Sequence, residues 1–178
     1  MTAPRSEHSA PLDPTADVLD RPELYPAGVD APLDALLDQH RAMLAACLDG
    51  LTEEEARRSL VPSKTTLLGL VKHAVFVERV WFEEARTGRS RAELGLVAGP
   101  DESFVLRDDD TIASVRATHA AACARSREAV RADGHDAVWS GNRRGPLPVR
   151  FILLHVLREL AQHCGHADIL REQVLAER

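Results

Sequence analysis

Three histidines and a glutamate recur near the C-terminus at spacings of four, four and three: His155, Glu159, His163 and His166. In a helix, at roughly 100° per residue, these side chains fall within about 80° of one another. Neutral imidazole and carboxylate together suit a divalent ion, with Zn, Ni, Fe and Mn all served by such ligands. The stripe overlaps the apolar face of Ile152, Val156, Leu160, Leu170 and Val174. Polar groups on a buried face need partners, because an unpaired carboxylate or imidazole is costly to bury. A bound cation meets that need. A helical surface with incidental histidines is the plainer alternative.

One helix cannot close a metal site, so a second element must contribute. His73 lies in the apolar stretch Leu70-Val-Lys-His73-Ala-Val-Phe-Val-Glu-Arg-Val-Trp81. It shares a helix face with Val77 and Trp81, so its ring is directed at the core. His40 is a second candidate with nothing around it to single it out. Two pairings are open: His155 with Glu159, or Glu159 with His163, either joined by His73. Cys164 follows His163 but lies about 180° around the helix from His155. Cys47, Cys123 and Cys164 are odd in number and form no CxxC pair, so they read as packing thiols of a reducing compartment.

Helices must carry these residues. Residues 1–32 hold six of the ten prolines and are expected to form a disordered or extended N-terminal arm. Helices are expected over about 33–49, 65–86, 111–132 and 148–176, with Pro148 in the first turn of the last. Thr52 and Glu55 spell a capping box for a short helix near 52–58. The architecture is therefore all-α, a four-helix bundle over residues 33–178. The connection 87–110 is long for such a bundle and reads as a crossover or lid. The link 133–147 carries Trp139 beside Arg143-Arg144; an exposed Trp there would contact an anionic or polar ligand, and the plainer reading is that Trp139 caps the end of the core.

Composition agrees. The 178 residues are 44% hydrophobic, with four Phe, two Trp and one Tyr as the only aromatics, a helical rather than sandwich balance. A formal charge of −6 excludes the basic footprint of a nucleic-acid binder. No apolar run reaches membrane-spanning length and no signal-peptide core is present, so a cytoplasmic protein is expected.

The stretches 68–82 and 155–172, with His73, Glu159, His163 and Gly165, resemble the DinB-like metal-binding superfamily. Within it they are most similar to the branch near the mycothiol-dependent maleylpyruvate isomerases and thiol S-transferases. The resemblance covers about residues 33–175. It implies a metal held by His73, Glu159 and His163, since the mycothiol-dependent branch carries Glu-x3-His where other members carry His-x3-His. His155 and His166 then become neighbours able to carry a proton. No second domain is expected after the bundle, and nothing matches a maleylpyruvate site. The implied activity is a metal-dependent transferase, with Zn the first choice of ion, that activates a low-molecular-weight thiol such as mycothiol for attack on a small electrophile. A non-catalytic stress-response bundle and a metal-dependent hydrolase are the rivals, and a homodimer is expected.

Overall fold

The computed structural model describes residues 18–178 except 25 and 27; the expectation for residues 1–17 lies outside the described residues. The chain is mostly helical. Helix α1 spans Asp30–Ala46, α2 Glu53–Arg57 and α3 Leu67–Glu78. A π-type segment, Arg79–Glu84, carries α3 directly into a last turn, α4, at Ala85–Thr87. Then come α5 at Pro100–Ser103, α6 at Ile112–Asp133 and α7 at Val149–Ala176. Between α6 and α7 a small hairpin pairs β1, Val138–Trp139, with β2, Leu147–Pro148.

Local chemistry sets the ends. Thr52 accepts from Glu55 N while the Glu55 carboxylate accepts from Thr52 N, the expected capping box. Thr66 and Thr111 cap α3 and α6 in the same way, each accepting the amide three residues on. Two boundaries differ from expectation. Helix α1 starts at Asp30, three residues before its expected start at 33, and Asp30 is held by the Arg150 fork at 2.8 and 3.0 Å. Pro148 is the N-cap of α7 with ψ 139°, outside its first turn, because it still pairs with Val138 in the hairpin. Of the arm, residues 18–24 form two 3-10 turns, and Val18 is buried where the first touches α1.

Packing runs α1 on α7, α3 on α6 and α3 on α7. Leu37, Leu44, Leu68, Leu70, Ile152 and Leu160 are fully buried at the centre. Each such side chain contributes about 1.5–3 kcal/mol by burial. The core also holds an ion pair. Arg41 on α1 donates Nε and Nη2 to the two oxygens of Glu78, both at 2.8 Å, with both side chains almost wholly buried. Asp38 completes the arrangement, accepting from Arg41 at 2.8 Å and from the Arg127 side chain of α6.

The connection 88–111 is folded onto α3. Lys72 donates to Asp110 at 2.6 Å and to Val105 O at 2.7 Å, and Arg79 donates to Leu94 O at 2.7 Å. Gly69 permits the closest approach: a Cβ there would sit 3.0 Å from the Phe104 carbonyl and 2.9 Å from Thr66 Oγ1. The missing side chain lets residues 103 and 104 lie on the helix one turn before His73. Among the described residues no helix is long and apolar enough to cross a membrane.

Candidate metal centre

His73 from α3 and the pair Glu159 and His163 from α7 converge where these helices cross. One donor atom from each lies within 4.8 Å of the other two. The i,i+4 spacing of Glu159 and His163 needs only one helix turn, whereas His73 arrives through tertiary packing. The structure thus brings together the pairing of Glu159 with His163, and His155 stands beside it.

Glu159 is polarised between neighbours. Its Oε1 accepts from Arg158 Nη2 at 2.6 Å, and its Oε2 lies 3.9 Å from His163 Nε2. His155 Nε2 is 4.0 Å from Oε1. Separations near 4 Å are too long for hydrogen bonds. They match side chains facing a shared point; donors at about 2.0–2.2 Å from one tetrahedral ion are about 3.3–3.6 Å apart, so a triad spanning up to 4.8 Å would close by up to about 1 Å on binding.

The two imidazoles are prepared differently. His73 is 5% exposed and its ring stacks on Phe104, with centroids 4.0 Å apart and planes 12° from parallel. Its Nδ1 is 2.7 Å from Ser103 Oγ, and that hydroxyl donates its single proton to the Pro100 carbonyl. Ser103 must therefore accept from Nδ1–H, which leaves Nε2 of the neutral ring unprotonated. His163 is partly buried, and its Nδ1 is enclosed with no hydrogen-bond partner. Burial pushes the His73 pKa down to about 4, with the His163 charge acting in the same direction. His163 is also lowered by burial, against the opposing pull of Glu159. Both rings are neutral at pH 7, the form that ligates metal.

The donor set fits a divalent ion: two neutral imidazoles, one carboxylate, a nitrogen fixed as a lone-pair donor, and a buried nitrogen without a partner. Three protein donors leave a coordination position for a substrate atom. Aromatic contacts border these donors: Phe104 stacks on His73, His163 is edge-on to His73 at 4.9 Å, and Trp81 packs on the neighbouring His155 at 4.0 Å. A cavity of about 570 Å³ lies behind α3, lined by Lys72, Phe76, Arg79, Leu96 and Val105, and shares Ser103 with the site.

The chain matches the family model described as mycothiol-S-transferase over residues 32–176. It belongs to the mycothiol S-transferase family. This bears out the resemblance read from residues 68–82 and 155–172, since the family is DinB-like. No curated protein matches the chain. The matched span begins just inside α1 and ends with α7, so the triad, the connection 88–111 and the hairpin all fall within the family's domain.

Other sequence candidates take separate places. His155 is partly buried against Trp81, and burial lowers its pKa. His166 is exposed, with its ring centroid 5.7 Å from that of His163. His40 spends Nδ1 on Leu36 O at 2.7 Å, within its own helix and outside the triad. Trp139 is buried against Phe82 and donates Nε1 to Asp133 at 2.9 Å, so it caps the core. All three cysteines are buried and free. Burial raises Cys47 and Cys123 to about 12 and Cys164 to about 11, which makes them poor nucleophiles. Sequence reasoning missed Ser103 and Phe104. Gly99-Pro100 followed by Asp101-Glu102 is a helix-start signal that marks their segment, though not its target.

Proposed function

We propose that this chain is a metal-dependent S-transferase that joins a low-molecular-weight thiol, mycothiol as the family indicates, to a small electrophile. The observation that carries this is the convergence of His73, Glu159 and His163 from two helices, within a domain of the mycothiol S-transferase family. We take the helical arrangement to be the DinB-like four-helix bundle over residues 33–178. A divalent ion held by His73 Nε2, Glu159 and His163, with Zn the first choice and Ni, Fe or Mn served by the same ligands, supplies Lewis acidity that favours the thiolate at neutral pH.

The residues of the chain do the rest. His73 and His163 offer lone pairs because burial keeps them neutral. Glu159 offsets the cation's charge, and Arg158 holds its other oxygen. Phe104 and Trp81 narrow water access and give the electrophile an apolar wall. His155 and His166 flank the triad without joining it, and they are the imidazoles placed to take the thiol proton. In the balanced reaction the sulfur loses its proton and forms a carbon–sulfur bond as the leaving group departs with its electron pair. Homodimerisation is supported by the exposed apolar side chains of Phe151, Leu154 and Ile169 on α7.

The test is metal content by mass spectrometry on untagged protein, beside mycothiol conjugation of a chloro- or iodo-alkyl acceptor. Close to one divalent ion per chain is expected, lost in His73→Ala and Glu159→Ala together with turnover. No metal after incubation with Zn or Ni would sink the reading. Metal without turnover would favour the non-catalytic module.

A further inference from the structure

The hairpin between α6 and α7 delivers one cation to the edge of the triad. Its loop is seated on α4, the last turn after α3 and the π-type segment, with Gly141 N donating to Ala85 O at 2.8 Å. A Cβ on Gly141 would lie 2.4 Å from Glu84 O and 2.5 Å from Gly88 N, so the two backbones are in direct contact. Asn142 is buried and braces the turn, its Oδ1 accepting from Arg144 N at 3.0 Å and its carbonyl from Gly145 N at 2.8 Å. Arg144 is thus presented from a fixed backbone.

Its guanidinium lies over the Trp81 ring, 5.5 Å from the centroid. The same ring packs on His155 at 4.0 Å, and His155 reaches to 4.0 Å from Glu159. Most arginines among the described residues meet a carboxylate, and Arg158 at this very site is taken by Glu159. Arg144 is exposed and has no carboxylate partner among the described residues. A guanidinium stacked on an indole keeps its in-plane donors free and loses little freedom when they bind. Planar paired donors suit a carboxylate.

We propose that Arg144 is the specificity-determining residue for the acceptor, binding the carboxylate of an anionic electrophile and laying its reactive carbon along Trp81 and His155 toward the triad. This rests on reading the triad as a thiol-activating centre. The substrate class is a small acid with its electrophilic carbon next to the carboxylate, such as an α-halo acid. The thiol sulfur forms the carbon–sulfur bond, the halide leaves with the electron pair of the broken bond, and the thiol proton passes to His155 or water. Nothing else is consumed.

Iodoacetate and iodoacetamide differ only in the charged group and give a matched pair. The chain's own thiols are buried and do not compete. With mycothiol as donor, Arg144→Met should lower kcat/KM for iodoacetate about tenfold, through KM, while iodoacetamide stays within about twofold. Arg144→Lys should fall between. Equal losses with both acceptors, or no loss with either, would overturn the proposal. A second readout does not depend on turnover: quenching of tryptophan fluorescence by (methylthio)acetate, a minimal product, compared with its amide. The wild type should bind the acid and ignore the amide, and Arg144→Met should ignore both. If the acid binds in this pattern but neither acceptor turns over, the anion site stands and the transferase reading falls. If the wild type does not distinguish acid from amide, the proposal is refuted whatever the turnover.

Discussion

Removing one hydroxyl from the connection 88–111 should weaken metal binding without touching a ligand. Ser103 is the acceptor that fixes the His73 tautomer, 2.7 Å from Nδ1, and its own proton is spent on Pro100 O. In Ser103→Ala, Nδ1–H is left buried and unpaired, and Nε2 is no longer committed to bearing the lone pair. Loss of such an orienting partner typically costs ten- to a hundredfold in metal affinity. The Phe104 stack, 12° from parallel, still holds the ring plane, which places the expected loss near the lower end. That is about tenfold, or ~1.4 kcal/mol. The assay is competition with a chromophoric zinc chelator at pH 7.5, with the wild type and His73→Ala as the two limits and circular dichroism as the check on folding. A folded Ser103→Ala protein that binds as tightly as wild type would refute the tautomer argument. So would one as metal-free as His73→Ala, because Ser103 would then be more than a positioning residue.

Two further outcomes follow from burial. Arg41→Met strands the Glu78 carboxylate in the core and should cost about 3–5 kcal/mol in urea unfolding, whereas Arg41→Met with Glu78→Leu should recover most of it; a single-variant cost under about 1 kcal/mol would contradict the burial. The metal-free protein should lose stability as pH falls from 7 to 5. His73 is held at about 4 when folded against an ordinary 6.5, so the unfolded chain takes up the proton first and its contribution, up to about 3 kcal/mol, drains away between those values. The lowered values of His119, His155 and His163 act with the same sign. Thermal unfolding at pH 7.5 and pH 5 checks this, and an unchanged or higher midpoint at pH 5 would contradict it.

The helices were legible because their information is local. Thr52 with Glu55 and the apolar spacing of 152–174 each operate within one or two turns, and the structure shows the capping box and the long last helix they predict. The facing of Glu159 and His163 is equally local, fixed by a spacing of four. The choice between the two pairings, and the arrival of His73, depended on how α3 crosses α7. So did the partners that fit the site for metal. Ser103 and Phe104 reach His73 from thirty residues downstream because Gly69 leaves space for the Phe104 carbonyl. Trp81 lies in a π-type segment whose wider turn has no marker in the sequence, and it is this ring that joins Arg144 to His155. Pro148 was misplaced by one position because strands of two residues are too short to leave a period, and the hairpin is stabilised by the helices on which it rests. Periodicity determined which elements form and which faces they bury. Contacts between residues far apart in sequence decided which side chains share a site.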